Sequence, residues 1–253
     1  MPRFFVEKQN IADGIVTISG EDAHHIARSL RMAAGEHITV CDMDQTEYDC
    51  VLEQFDQDKT VYARITAQRR MESEPPISLT VYQALPKADK LDTVIQKSVE
   101  CGAVRIVPFE SEYCVVRAKA DAEDKKMLRR QRIALEAAKQ CGRGVLPTVE
   151  ATCSFEDMLA RAGGADLVLF CYEGEGTVSL KRFVSEKRAK NEIPTDRVPT
   201  VSVIIGSEGG FSNKEVEMAK RAGCTPVGLG ARILRTETVS SFVLGCLIYE
   251  FEL

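Results

Sequence analysis

Gly206-Ser207-Glu208-Gly209-Gly210-Phe211 and, nearer the C-terminus, Leu229-Gly230-Ala231-Arg232-Ile233-Leu234-Arg235-Thr236-Glu237-Thr238 decide how this chain reads. Each follows a β-branched run that reads as a buried strand, Thr200 to Ile205 and Thr225 to Leu229, and each opens a helical pattern. Backbone-exposing loops at strand ends lie where open α/β sheets bind ligands. Glycine permits φ > 0 and lets the backbone approach a ligand with no Cβ in the way. Taken alone, the first loop reads equally well as an ordinary βα turn, because short glycine patterns recur in many folds.

Around these loops, strand and helix signals alternate. Ile77 to Leu85 reads as a strand, and Lys87 to Ala103 as a helix with Leu91, Val94, Ile95 and Val99 on one face. Further strands are predicted at Val104 to Phe109, Leu167 to Tyr172, Val201 to Ile205 and Pro226 to Leu229. Such alternation predicts an α/β fold, a parallel sheet covered by helices on both faces. Before residue 70 the pattern is short and alternating: Gly14 to Ile18, His37 to Val40, Tyr48 to Leu52 and Thr60 to Ile65. These runs predict a small β-barrel with one helix, Glu21 to Met32. The polar stretch from Arg69 to Pro76, ending in two prolines, reads as the linker. The domain boundaries are set at 1–70 for the barrel, 71–77 for the linker and 78–253 for the α/β domain.

Composition restricts the function classes. At 253 residues, 44% hydrophobic and 28% charged, the chain can bury one large core or two modest ones. It has no transmembrane pattern, and Met1-Pro2-Arg3-Phe4-Phe5 lacks the apolar core of a signal peptide, so a reducing, cytoplasmic location is expected. None of the nine cysteines lies two to four residues from another, which removes zinc and CxxC spacing, and no metal is expected. His24, His25 and His37 all precede residue 70, so no histidine in the larger domain can serve a hydrolase triad. Net charge is −5, but phosphate contacts need a basic patch rather than a basic protein. Arg117 to Arg143 carries nine Lys or Arg against four Asp or Glu, and Lys181 to Lys190 carries five against one. Solvated helix faces have the same composition.

The residue order of the two glycine loops resembles the SPOUT class of RNA methyltransferases. The chain as a whole is similar to the ribosomal small subunit methyltransferase E family. Gly20-Glu21-Asp22-Ala23-His24-His25-Ile26-Ala27-Arg28-Ser29-Leu30-Arg31-Met32 resembles the helix of that family's PUA-like RNA-binding domain. Lys87, Asp92 to Glu100 with its Ile95-Gln96-Lys97, Arg132 to Gln140, and Gly142-Arg143 look like further family signatures.

The resemblance implies a C-terminal trefoil knot, S-adenosylmethionine as cofactor, and methylation of N3 of a 16S rRNA uridine on the assembled small subunit. By the same resemblance, Leu229, Gly230, Ile233 and Leu234 line an adenine pocket. Gly206, Glu208, Gly209 and Gly210 lie against the ribose and methionine, Cys171, Tyr172 and Glu173 close the site, and Thr238 joins the cofactor contacts. Arg3, His25, Arg28, Arg31, Lys97, Arg129, Arg130, Arg132 and Arg143 are the implied RNA contacts. Arg235 is the candidate donor to charge developing on the uracil ring. Glu237 is a candidate base, or a partner holding Arg235, and equally a helix-dipole residue behind an N-cap at Thr236. The family also pairs its knotted domains, which makes the apolar last helix, Ser241 to Phe251, the expected homodimer contact.

Three positions depart from the family pattern: Ser207 where proline is common, Val239 for a usual alanine, and the acidic turn Asp42-Met43-Asp44. Two other functions stay open. Gly228 to Ile233 resembles a dinucleotide fingerprint that lacks its third glycine, and a non-enzymatic ribosome-binding factor would keep both loops.

Overall fold

The alternating runs of the N-terminal stretch form six strands: β1 (Arg3–Phe5), β2 (Ile11–Ala12), β3 (Ile15–Ser19), β4 (His37–Cys41), β5 (Thr46–Asp56) and β6 (Thr60–Arg70). They pair in the order β1-β4-β5-β6-β3-β2. In this computed structural model, which describes residues 1–56, 59–118 and 120–253, the chain divides into two compact units. One is Met1–Glu74 with Ala138–Leu146, and the other is Pro75–Ala137 with Pro147–Leu253. Ala138–Leu146 thus clusters with the first unit, although the sequence boundaries place it in 78–253. Lys119, within the first basic run, lies outside the described residues.

Alternate positions in the first unit supply one core, including Phe4, Val16, Ile18, Ile38, Val40, Leu52 and Val61. Period-two alternation puts exactly one face of each strand into that core, hence the sequence pattern. Among the described residues no ladder joins β1 to β2, so by hydrogen bonding the expected barrel is an open sheet. Those two strands are three and two residues long, too short to close it. Irregularities between Asp49 and Cys50 and between Leu52 and Gln54 interrupt the β5–β6 ladder, where bulges bend a strand. The predicted helix is shorter than expected: α1 (Gly20–His24) gives way to a π-turn at His25–Ser29, and Arg31 leaves it at φ 53°. The acidic turn has a local cause. Buried Asp42 accepts hydrogen bonds from the backbone N–H groups of Asp44 at 2.9 Å and Thr46 at 3.0 Å, so its side chain does the work of a turn.

The second unit holds β7 (Ser78–Ala84), α2 (Lys90–Glu100), β8 (Ala103–Phe109), α3 (Ala120–Cys141, whose last residues from Ala138 belong to the first unit), β9 (Thr148–Val149), α4 (Phe155–Ala162) and β10 (Leu167–Cys171). β11 (Val178–Ser179), α5 (Leu180–Ala189), β12 (Thr200–Ile205), α6 (Asn213–Arg221), β13 (Thr225–Gly228) and α7 (Thr236–Phe251) follow. Seven strands pair in the order β11-β13-β10-β12-β7-β8-β9, every neighbouring pair parallel. Consecutive residues Val201 to Ile205 are all buried, as a strand covered on both faces requires. α7 buries Val243, Leu244 and Leu247 in the same core as Val81, Leu169 and Val203. Its outer face leaves Phe242 38% and Tyr249 73% exposed.

Two arginines expected on RNA belong to the frame of the first unit. Arg3 lies 2.5 Å from the buried Glu47 carboxylate and donates to Cys41 Sγ at 2.9 Å. Arg143, 2% exposed, meets Glu74 through Nε at 2.9 Å and Nη2 at 2.6 Å. Neither guanidinium is offered to a ligand. Removing one partner of such a buried pair strands the other charge. Glu74→Gln is therefore expected to destabilise the protein by about 3 kcal/mol in urea unfolding; an unchanged midpoint would contradict the pairing.

Candidate active site

β13, β10 and β12 are neighbours in the sheet, and the loops that leave their C-terminal ends wall a cavity of about 650 Å³. The glycine loops follow β12 and β13, with β10 between those strands, so its loop, from Cys171 to Thr177, forms the middle wall. The volume suits a cofactor-sized ligand, and strand ends of a parallel sheet are where such ligands bind. Cys171, Tyr172, Glu173, Gly206, Glu208, Gly209, Gly210, Leu229, Gly230, Ile233, Leu234 and Arg235 all line it. Thr238 and Glu237 do not; Thr238 lies exposed on the first turn of α7. A second cavity of about 500 Å³, between Asp44–Thr46 and Gln68–Arg70 of the first unit, is lined by none of the predicted residues.

The loop after β12 is pinned by its last residue. Phe211 is buried among aromatic rings, with centroids 4.3 Å from Phe170, 6.1 Å from Phe155 and 6.4 Å from Phe109, and it fixes where the glycines sit. Gly210 has φ 68° and donates its N–H to Ser207 O at 2.9 Å, closing a tight turn, and Gly230 has φ 105°. Gly206 and Gly209 do not have positive φ, contrary to expectation. Gly209 is required for a different close approach: a Cβ there would stand 2.8 Å from Tyr113 Cβ.

Thr236 is the first residue of α7 rather than its N-cap, a place taken by Arg235. Its hydroxyl donates to Gly206 O at 2.7 Å and accepts from Gln83 Nε2 at 2.9 Å. Gln83 is fully buried at the end of β7 and also donates to Gly206 O at 3.3 Å, so the hydroxyl and the amide together join two strand ends to the start of the last helix.

Charge is arranged around Lys90. Its ammonium is 2.9 Å from Glu208 Oε1 and 3.5 Å from Glu237 Oε2. The Glu208 bond raises the Lys90 pKa above its ordinary value. Burial opposes ionisation of Glu208, but Lys90 and the backbone N–H of Lys87 together hold its carboxyl below the usual range. Glu237 is thus paired with Lys90 and does not hold Arg235. Arg235 is exposed and, among the described residues, has no hydrogen-bonding or ionic side-chain partner. Burial pushes the Cys171 thiol up to about 12, which keeps it neutral as part of the cavity wall.

The remaining basic residues separate into two kinds. Arg130 is buried against Glu123 at 2.9 Å, which corrects its expected RNA role. Arg129 is exposed but paired with Asp92, and half-buried Lys97 meets Glu100 at 2.8 Å. Arg132, Arg28, Arg31 and His25 are exposed, His25 lying edge-on to Phe4 at 6.4 Å. In α5, Arg182, Lys187 and Arg188 all carry carboxylate partners, the pattern of a solvated face. Among the described residues no group of three His, Cys, Asp or Glu could hold a metal, and no helix is long and apolar enough to cross a membrane.

Lys90, Gln83, Phe211 and Tyr113 were not singled out from the sequence. Gln83 carried a signal, being a lone amide inside an apolar strand, where a buried polar group implies a partner. Phe211 carried one too, as the apolar residue that ends a glycine loop. Lys90 and Tyr113 act through tertiary placement that spacing does not encode.

Loops on adjacent parallel strand ends, around a cavity with an unpartnered arginine, define a ligand-binding α/β domain joined to a small β unit. An RNA methyltransferase domain family matches residues 73–248, and an RNA methyltransferase PUA domain family matches 18–66. Ribosomal RNA small subunit methyltransferase E of Bacillus subtilis is 34% identical over all of this chain and 98% of its own length. A Neisseria gonorrhoeae protein of that name, solved bound to S-adenosyl methionine, superposes with TM-score 0.83 at 26% identity over 99% and 98% of the two chains. A putative methyltransferase from Legionella pneumophila, solved with SAM, gives TM-score 0.83 at 28% identity over 98% and 97%. The chain belongs to the ribosomal RNA small subunit methyltransferase E family.

Thr236→Val removes the 2.7 Å donor to Gly206 O, leaving that carbonyl only the 3.3 Å contact from Gln83 Nε2, and takes one of the acceptors from the buried Gln83 amide. It is expected to cost about 2 kcal/mol of stability in urea unfolding. A variant as stable as the parent would contradict the bridge.

Proposed function

We propose that this chain transfers a methyl group from S-adenosylmethionine to N3 of a uridine in 16S rRNA, acting on the assembled small subunit. The observation that carries this reading is Arg235, a guanidinium with no side-chain partner among the described residues, on the wall of a cofactor-sized cavity. The wall suits the cofactor. Backbone edges of Gly206 to Gly210 and Leu229 to Leu234 can read an adenine, Leu229 and Leu234 give it apolar contact, and Glu173 and Glu208 favour a cationic ligand. When bound, the cofactor supplies a methyl group on a sulfonium.

Arg235 supplies the stabilising charge. Methylation of a uracil ring nitrogen removes its N–H, so negative charge grows on the ring carbonyls, and a guanidinium that stays protonated donates to them in the transition state. Glu237, beside Lys90, takes the role of proton acceptor through a water rather than that of a brace for Arg235. Thr238 serves α7 rather than the cofactor. His25, Arg28 and Arg31 on the first unit, and separately Arg132 on the second, supply charge and hydrogen-bond donors for RNA contacts, with Arg129 of the second unit available by exchange from Asp92.

Three further readings go with this function. The C-terminal segment forms a trefoil knot, supported by β13 pairing beside β10 while α7, which follows it, returns to pack on β12 and α2. The protein is a homodimer through α7, supported by exposed Phe242 and Tyr249 on that helix. It works in the cytoplasm, where its substrate is assembled.

Methyl incorporation into small subunits, free 16S rRNA and bulk tRNA from cells lacking the enzyme tests the substrate. Subunits should be preferred and the product should be 3-methyluridine; a preference for tRNA, or a methyl group on a ribose oxygen, overturns the assignment. Arg235→Ala should lower kcat about a hundredfold while leaving cofactor affinity unchanged. Equal loss of cofactor binding would instead make Arg235 a cofactor ligand. Light scattering at micromolar concentration should give the mass of a dimer; a monomer mass removes that part of the proposal.

A further inference from the structure

Among the described residues, Tyr113 is the exposed aromatic of the second unit that does not lie on α7, and it stands beside the cavity. It is 48% exposed, in the segment between β8 and α3, and Val115 two residues on is 71% exposed. The would-be Cβ of Gly209, a residue of the cavity wall, lies 2.8 Å from Tyr113 Cβ and 3.6 Å from its Cγ. The phenol ring therefore springs from a point in contact with the glycine loop.

The segment is built to hold the backbone at Tyr113 in place. Glu112 donates its backbone N–H to the buried Glu215 carboxylate at 2.8 Å, and Glu215 also caps α6 directly after the glycine loop. Arg117 donates to the carbonyls of Ser111 at 3.0 Å and Glu112 at 2.9 Å. Cys114 N–H returns to Ser111 O at 3.1 Å, and the buried Cys114 Sγ lies 3.3 Å from Ser111 Oγ. A turn tied on both sides of Tyr113 presents the ring from an already ordered backbone, so contact has no loop-ordering cost to meet.

We propose that Tyr113 is a stacking platform for one unstacked base of the RNA substrate at the mouth of the cavity, a positioning residue for methyl transfer. The proposal rests on the methyltransferase reading above. Single-stranded or extruded bases are recognised by stacking on aromatic side chains, and such a contact tolerates any base because each has a π-face. One ring with a neighbouring valine matches the face of a single base. It falls far short of the roughly 800 Å² per partner that a stable protein interface buries.

The chain has no tryptophan, so Tyr113→Trp places a single fluorophore at the site. Its emission should be quenched on titration with small ribosomal subunits from cells lacking the enzyme. In steady-state methylation of the same subunits, Tyr113→Ala should raise KM about tenfold with a smaller effect on kcat. Tyr113→Phe should stay within about twofold of the parent, because stacking needs the ring and not the hydroxyl. Affinity for S-adenosylhomocysteine should be unchanged in all three. Tryptophan emission that ignores subunits, or that depends on protein concentration alone, would overturn the proposal, as would a phenylalanine variant as impaired as alanine. Failure of the parent protein to methylate any RNA would be a separate result, against the function itself.

Discussion

A small buried polar cluster, the Thr236 hydroxyl, the Gln83 amide and Gly206 O, ties together the elements of the site. Thr236 donates to Gly206 O and accepts from Gln83, so the ends of β7 and β12 and the start of α7 share one buried node. Each of these elements brings something different: β7 the central sheet, β12 the glycine loop, α7 the arginine that precedes it. A buried node of this kind has high stakes, because every partner left unsatisfied pays its full desolvation cost. It also places Thr236 inside the helix, which leaves Arg235 as the half-free N-cap residue, with its side chain turned out of the helical hydrogen-bond scheme.

Charge placement then decides which groups are available for chemistry. Lys90 sits in the first turn of α2, where the helix dipole disfavours a cation, and two carboxylates compensate it. Glu208 and Glu237 both lie against Lys90, whereas Arg235 has no side-chain partner among the described residues. An arginine beside a cavity can act on developing negative charge only while no carboxylate already neutralises it, so the pairing at Lys90 and the freedom of Arg235 are two sides of one arrangement. The aromatic cluster around Phe211 does the corresponding mechanical work, holding a loop of three glycines that would otherwise be costly to order.

Most of the architecture was legible because period-two and β-branched runs express burial directly. The boundaries of β8, β10, β12 and β13 lie within one residue of their predicted limits. The predicted helix at Glu21 was overlong, because a π-turn and a left-handed Arg31 end it in a way that apolar spacing does not encode. The cavity wall was legible wherever backbone exposure by glycine marked it. The basic residues were not, because an arginine in a basic run reads the same whether it is exposed, as Arg132 is, or buried against a carboxylate, as Arg130 and Arg143 are. Burial of a charge depends on a partner distant in sequence, Glu74 in the case of Arg143, and no local pattern announces it.

Titration calorimetry of the purified protein with S-adenosylhomocysteine tests most directly that the three loops form one cofactor site. One molecule should bind per chain, with unchanged affinity in the presence of EDTA, while NADH gives no heat. Absence of S-adenosylhomocysteine binding, or binding of the nicotinamide dinucleotide in its place, would contradict the site.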